Sequence, residues 1–134
     1  MSRTELQFQT IKVCCCDSIA EATHADASSW VVSGSHGGLS AAHYAIAIRP
    51  VLTVFNDAGI GREQAGIAGL SLMQNHGLAA CAVSHQSACI GVARSTWEHG
   101  VISHANPAAL ALGVQIGQTL IANFYSINTF INQI

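Results

Sequence analysis

Apolar runs of four to eight residues alternate along the chain with stretches of helical spacing, and most of the runs end in a polar turn. Two such runs, residues 30–34 and 51–55, flank a stretch at 39–49 whose apolar residues recur with helical spacing. Arg49-Pro50 closes that stretch, as expected where a helix ends before proline. The three segments predict a strand–helix–strand unit with a right-handed crossover, which places both following turns at the carboxyl edge of one sheet.

The same alternation predicts further strands on both sides of this unit. Residues 6–16 begin with alternating polarity and become almost continuously apolar, and residues 78–84 form another apolar run. Residues 19–29 and 62–76 have helical spacing and are predicted to cross between strands, and Gly77 fits the end of the second helix. We therefore expect an α/β three-layer sandwich whose mostly parallel sheet has about four to five strands, in the flavodoxin-like style.

Two glycines lie inside the helix predicted at residues 62–76. Each of them, Gly66 and Gly69, costs about 1 kcal/mol of helix stability relative to alanine. Such a cost is tolerated where another backbone or a ligand approaches closely. We expect a close helix–helix or helix–sheet contact at these positions.

Two short elements are predicted beyond residue 100. Residues 101–103 form a short edge strand that delivers His104 to the sheet edge. Asn106 and Pro107 have the pattern of an N-cap and a first helical residue. These elements complete the βα repeats that we assign to residues 1–113 of a single domain.

The last segment, residues 114–134, contains no Asp, Glu, Lys or Arg, and its apolar residues have helical spacing. A helix this apolar needs a surface to cover it, so we expect it to dock against another subunit. Only 9% of the 134 residues are charged, against about a quarter in an average globular domain. This scarcity of surface charge likewise predicts a homo-oligomer.

Charge and cysteine content narrow the partners and the cellular setting. The formal net charge is −2 and no cluster of Lys or Arg occurs, so we expect no binding to nucleic acid. No stretch has the apolar core of a signal peptide or about 18 uninterrupted apolar residues, so we expect neither export nor membrane insertion. The five cysteines, three of them adjacent at 14–16, predict reduced thiols in a cytoplasmic protein rather than a disulfide framework.

Polar turns follow four predicted strands in succession, at residues 17–18, 33–38, 56–61 and 84–87. Because the carboxyl ends of parallel strands share an edge, these turns predict a common pocket. The second turn combines glycines with a helix N-terminus and so could bind a phosphate or carboxylate, although a tight strand–helix turn also favours glycine. The residues expected to bind this small anionic ligand are Ser33, Ser35, Gly37, Gly38, Asn56, Ser87 and His104.

Three histidines, at positions 36, 85 and 104, fall at this edge, and histidine is the side chain best suited to proton transfer near neutral pH. We expect His36, Asp57 and His85 to be the catalytic groups of an enzyme that uses acid–base chemistry on the anion. Asp57 alternatively caps the following helix. The histidines lack HxH or HExxH spacing, so no metal is expected. Nothing in the sequence names a cofactor, or chooses among hydrolysis, isomerisation and elimination.

A non-catalytic function also accounts for these turns. An oligomeric module that binds a small ligand or another protein needs the same polar edge but no proton transfer. In such a module, substituting His36 or Asp57 would weaken ligand binding without abolishing it.

Two segments, residues 33–38 (SGSHGG) and 86–91 (QSACIG), resemble the catalytic loops of the caspase-like cysteine peptidases. That family places a His-Gly loop and a Gln-Ala-Cys-x-Gly loop after neighbouring strands, with the histidine about 50 residues upstream. Here His36 lies 53 residues before Cys89. The resemblance implies a hydrolase with Cys89 as nucleophile and His36 as base. It departs from the family in an extra residue before Cys89 and in the helix, rather than a hairpin, that follows His36.

Overall fold

The computed structural model describes residues 3–132, with side chains as far as Asn128. A six-stranded sheet forms its centre, with the strands in the order β1 to β6. The strands are β1 Arg3–Phe8, β2 Ile11–Cys16, β3 Trp30–His36, β4 Leu52–Asn56, β5 Ala80–Val83 and β6 Ile102–Ala105. The helices are α1 Leu39–Ile48, α2 Ala68–Asn75, α3 Ala93–His99, α4 Pro107–Leu112 and α5 Leu120–Asn132.

The sheet is mixed, which corrects part of the sequence expectation. Strands β2 to β5 run parallel to one another, whereas β1 pairs with β2 and β6 pairs with β5 in the antiparallel sense. The α/β class is confirmed, but the sheet has six strands rather than four or five. Strand order follows chain order and lacks the reversal of flavodoxin-like sheets, so that style is not confirmed.

Both faces of the sheet are covered, which explains why its strands are apolar almost throughout. Neighbouring residues point to opposite faces, so Val31 packs with α1 and α2 while Val32 packs with α3 and α5. On the second face, the rings of Trp30 and Phe124 meet edge to face with centroids 4.9 Å apart. These two cores make the three layers that the sequence predicts.

Of the two predicted crossover helices, one is replaced by 3-10 turns and the other is shorter than the sequence predicts. The connection at 19–29 contains two 3-10 turns, Ile19–Glu21 and His24–Asp26, instead of a helix. In the stretch 62–76, a 3-10 turn precedes α2, because Glu63 and Gln64 have positive φ angles that an α-helix does not accommodate. The helical spacing of apolar residues in this stretch therefore begins before the first residue of α2.

The C-terminal helix packs on its own chain, which corrects one reason for expecting an oligomer. Leu120, Phe124 and Ile127 of α5 are buried in the core on the α3 face of the sheet. Residues 130, 131 and 134, which extend the predicted apolar stripe, lie outside the described side chains. Since Leu120, Phe124 and Ile127 are covered without a second subunit, they do not by themselves require one, and a homo-oligomer remains a prediction. Within residues 3–132, no helix is long and apolar enough to cross a membrane.

Candidate functional site

The parallel strands bring the four polar turns to one edge of the sheet, as expected. The turns after β2, β3, β4 and β5 all leave the sheet at its carboxyl edge. The antiparallel strand β6 begins at that same edge and adds Ser103 and His104 to it. The question is which of these polar side chains meet.

The Asp57 carboxylate is the centre of a hydrogen-bonded cluster at this edge. It is 5% exposed. Oδ1 accepts hydrogen bonds from the Gly59 N–H at 2.8 Å and the His85 N–H at 3.0 Å, and Oδ2 accepts one from the Ser103 hydroxyl at 2.7 Å. Burial opposes ionisation, but these hydrogen bonds outweigh it and lower the pKa of Asp57 below its ordinary value. The group is therefore a carboxylate at neutral pH.

Two imidazoles flank the two oxygens of this carboxylate. His85 Nδ1 lies 3.3 Å from Oδ1 of Asp57, and His104 Nδ1 lies 3.9 Å from Oδ2. His104 Nδ1 is also 3.0 Å from the Ser103 hydroxyl oxygen. The side chains of His85 and His104 are 50% and 31% exposed, so both rings reach solvent while the carboxylate does not. A buried carboxylate that orients an accessible imidazole can stabilise the imidazolium formed when the ring takes up a proton.

The loop that follows Asp57 is strained. Ala58, Ile60, Glu63 and Gln64 have φ angles between 52° and 70°, a region that non-glycine residues rarely occupy. The Ile60 N–H donates to the Asp57 carbonyl oxygen at 2.7 Å, which holds the chain in this tight turn. Strained backbone of this kind concentrates at functional sites, because only a well-fixed surrounding structure maintains it.

His36 stands apart from this cluster. It ends β3 opposite Asn56, and its exposed ring packs over Gly38, where a Cβ would lie 2.9 Å from His36 Nε2. Among residues 3–132, no hydrogen bond or ion pair joins His36 to Asp57 or His85. The structure thus unites two of the three predicted catalytic residues and leaves the third beside the N-terminus of α1.

Four polar residues of the predicted anion cradle are hydrogen-bonded to the backbone. Their partners are Val54 O for Ser33 at 2.8 Å, Ile19 N–H for Ser35 at 3.0 Å, Ala88 O for Asn56 at 3.1 Å and Ser84 O for Ser87 at 2.8 Å. Ser33 and Asn56 are fully buried. These side chains fasten the strand ends and the loop after β5, a role that the sequence interpretation did not include.

The two glycines of the predicted cradle have a packing role. Gly69 of α2 donates its N–H to the Gly37 carbonyl oxygen at 2.8 Å, and a Cβ at Gly69 would collide with the Gly38 carbonyl oxygen. At Gly66 an added Cβ would collide with the Asp57 carbonyl oxygen. The close helix contact predicted at Gly69 is confirmed, and it brings the N-termini of α1 and α2 together, whereas Gly66 lies in the turn before α2 and packs against the loop after β4.

Ser103 is the functional candidate that the sequence did not reveal. Its hydroxyl donates to Asp57, 46 positions earlier in the chain. In a regular strand Ser103 and His104 would point to opposite faces, but the β5–β6 register shifts between Ala82 and Val83. Such irregularities redirect side chains, so the two neighbours meet the same carboxylate.

No protein-family model matches this chain, and no curated protein and no solved structure shows a significant match to it. Within residues 3–132, no group of three or more His, Cys, Asp and Glu side chains is arranged to hold a metal ion. The functional argument therefore depends on the geometry around Asp57.

Proposed function

We propose that this protein is a small α/β enzyme that applies acid–base chemistry to a small anionic metabolite at the carboxyl edge of its sheet. The observation that carries the proposal is the buried Asp57 carboxylate in contact with two solvent-accessible imidazoles. The buried Asp57 carboxylate is costly to desolvate, and it contacts the two imidazoles, which are the side chains best able to exchange protons near neutral pH.

His85 acts as the principal acid–base group in this proposal. Its Nδ1 faces the Asp57 carboxylate, which fixes the ring and stabilises its protonated form. His104 approaches the other carboxylate oxygen and supplies a second proton-handling group, with Ser103 holding the carboxylate between the rings. Two such groups suffice for proton abstraction on one side of a substrate and proton delivery on the other, as isomerisation, elimination and hydrolysis require.

The anionic group of the substrate is proposed to lie near the N-terminus of α1. Gly38 begins this ten-residue helix without a side-chain cap, so the first-turn N–H groups carry the partial positive charge of the helix end. His36 packs directly over Gly38. In this proposal His36 contributes to binding the anion rather than to the proton transfer at Asp57.

The first test is a thermal-shift screen of the wild type against phosphate, small carboxylates and nucleotides. A ligand at 100 times its dissociation constant adds about 2.7 kcal/mol, which raises the unfolding temperature by several degrees. We expect one class of anion to stabilise the protein and His36→Ala to weaken that effect. His43→Gln, an exposed histidine on α1, is the matched control.

The second step follows conversion of the stabilising anion by NMR. Asp57→Asn preserves the shape of the side chain but removes the charge that orients His85, so we expect turnover to fall about 10²- to 10⁴-fold with binding retained. Binding without turnover in the wild type, or equal turnover in Asp57→Asn, would identify the non-catalytic binding module instead.

A second candidate, the Cys89–His36 hydrolase, is favoured by the path of the loop after β5. Asn56, which lies opposite His36, donates its side-chain N–H to the carbonyl oxygen of Ala88, next to Cys89. The Gly91 N–H of the same loop donates to Gly34 O of β3 at 2.7 Å. Cys89 is exposed, although no hydrogen bond joins it to His36 within the described part of the chain.

Alkylation kinetics distinguish this hydrolase from the acid–base enzyme. Burial raises the pKa of Cys81 to about 12, so that thiol is an internal reference for an unreactive cysteine. A nucleophilic Cys89 would react with iodoacetamide rapidly at about pH 6.5 and lose that reactivity in His36→Ala. Slow labelling of Cys89 that does not depend on His36 would leave the Asp57 site as the stronger candidate.

A further inference from the structure

A groove of about 470 Å³ opens beside His104, between α2 on one side and β6 and α4 on the other. This volume falls in the range of about 300–1,000 Å³ typical of small-molecule sites. His104 lines the groove and also approaches Asp57, so the groove and the candidate acid–base site share this histidine.

The lining of this groove is mixed: apolar atoms make up most of its exposed area, and its polar groups are amides, a hydroxyl and the His104 imidazole. Its floor includes Ile67 and Leu70, and none of the described residues that line it is Asp, Glu, Lys or Arg. The polar lining residues, apart from His104, are Gln64, Ser71, Gln74, Asn75 and Asn106. Amide and hydroxyl groups are donors and acceptors without net charge, so they match partners of the same kind.

The internal bonds of the groove determine which of these groups face a ligand. Asn106 uses both ends of its amide inside the protein, because its NH₂ donates to two carbonyl oxygens and its Oδ1 accepts from two backbone N–H groups. Gln74 Oε1 accepts a hydrogen bond from the Ala108 N–H at 2.8 Å, which fixes the side chain across the groove. Its NH₂ group makes no hydrogen bond within residues 3–132 and remains as an oriented donor.

We infer that this groove binds the uncharged portion of the substrate, a carboxamide or a hydroxyl-bearing group, while the reacting part lies at His104. The inference depends on the proposed acid–base function and adds the substrate class on one side of the site. A carboxylate held among the lining amides, away from His104, would be desolvated without a Lys or Arg to compensate it, whereas an amide exchanges its water for the amides of the lining. The anion expected near α1 and the neutral group in the groove are then opposite ends of one molecule.

The test compares succinamide with succinate, which have the same length and shape but differ in charge. Each is titrated into ¹⁵N-labelled protein while the side-chain amide signals of Gln74 and Asn75 are followed, since these groups line the groove and lie outside the Asp57 cluster. We expect succinamide to move both signals and succinate to bind there about tenfold more weakly, a difference of about 1.4 kcal/mol.

Gln74→Glu sharpens the test because it keeps an oxygen for the Ala108 N–H while it replaces the NH₂ donor by a second acceptor oxygen and adds one negative charge, which the Gln7→Glu control matches. We expect it to abolish the response of Asn75 to succinamide, whereas Gln7→Glu, on the opposite edge strand β1, leaves that response unchanged. Equal affinity for the two probes, or no response to either, overturns the inference.

Different observations would contradict the inference about the groove and the proposed acid–base function. If succinate binds in the groove as well as succinamide does, the substrate class is wrong, but Asp57→Asn still lowers turnover strongly. If succinamide binds as expected and turnover is indifferent to Asp57→Asn, the groove is a neutral-ligand site and the acid–base proposal fails.

Discussion

The protein buries two aspartates, Asp26 and Asp57, and surrounds them in different ways. Asp26 is fully buried at the end of the second 3-10 turn, where Arg3 contacts both of its oxygens at 2.9 and 3.0 Å. Lys12 adds a third charged contact at 3.0 Å. Asp57 has no Lys or Arg partner within residues 3–132, and its neighbours are N–H groups, a hydroxyl and two imidazoles.

This difference separates a structural carboxylate from a functional one. Burial opposes ionisation of Asp26, but the hydrogen bonds from Arg3, the Thr23 N–H and Lys12 lower its pKa far below the ordinary value. Permanent cations neutralise the charge and leave no partner that titrates near neutral pH. Asp57 reaches a lowered pKa by hydrogen bonds alone and so keeps its charge available to His85 and His104. The partners of a buried carboxylate, more than its burial, indicate its role.

Backbone conformation also distinguishes the segment around Asp26 from the loop after Asp57. Four of the seven residues from Ala58 to Gln64 are non-glycine residues with positive φ, whereas residues 17–29 around Asp26 include none. The backbone around Asp26 is unstrained, whereas the loop after Asp57 is strained.

The largest stability effect is expected from breaking the Asp26 cluster. Asp26→Asn removes the buried counter-charge of Arg3 and Lys12 and leaves them only the exposed Glu5, so we expect the free energy of unfolding to fall by about 3 kcal/mol in urea titrations. Asp57→Asn should cost about 1 kcal/mol, because its amide oxygen still accepts the Gly59 and His85 N–H groups. Equal losses of unfolding free energy in the two variants would contradict the distinction between a structural Asp26 and a functional Asp57.

Acid unfolding should rank the contributions of Asp26 and Asp57 to stability in the same order. Both carboxylates have folded-state pKa values below the unfolded value of about 3.9, so their contributions are complete above that pH and are lost as the pH falls towards each folded-state pKa. We therefore expect the free energy of unfolding to decline below about pH 4. Asp26→Asn should flatten this decline more than Asp57→Asn does. A decline that is unchanged in Asp26→Asn would contradict the assignment.

Ser103 offers a smaller and more specific change. Ser103→Ala removes one hydrogen bond to Asp57, so we expect a loss of about 1 kcal/mol and a rise in the pKa of Asp57, measured by ¹³C NMR of its carboxyl group. Ser103→Thr keeps the hydroxyl and should restore both values. An Asp57 titration that is identical in all three proteins would remove Ser103 from the site.

The smallest effect concerns strain in the loop after Asp57. Ala58 is exposed with φ 52°, so Ala58→Gly relieves left-handed strain and should stabilise the protein by about 0.5 kcal/mol after the added unfolded-chain entropy. Ala47→Gly, at an exposed position within α1, is the control and should destabilise by about 1 kcal/mol. If both variants destabilise equally, the loop is not strained at Ala58.

Local signals made several elements predictable from the sequence. Helix α1 ends where Arg49-Pro50 requires it, and Asn106 caps α4 with Pro107 as its first residue. The edge strand that carries His104 was predicted for the same reason, since a short apolar run precedes the polar residues that open α4. These features depend on residues a few positions apart, so a single sequence contains the information.

The composition of the site depends on distant pairings, which the sequence does not show. Asp57 and His85 were predicted together because both follow parallel strands, and β4 and β5 are adjacent. His36 was expected beside them, but it pairs with Asn56 after a shift in the β3–β4 register and makes no hydrogen bond or ion pair to Asp57 or His85 among the described residues. Ser103 was missed because only the irregular β5–β6 pairing turns its hydroxyl towards Asp57.

The order of the strands also has a consequence for how the chain folds. Every ladder of the sheet joins strands that are consecutive along the chain, so each closes a loop no longer than a single connection. Such local pairing favours rapid folding and allows the sheet to grow strand by strand as the polypeptide leaves the ribosome. Asp57 gains its Ser103 hydrogen bond only when β6 arrives, so the candidate site is the last part of the sheet to be completed.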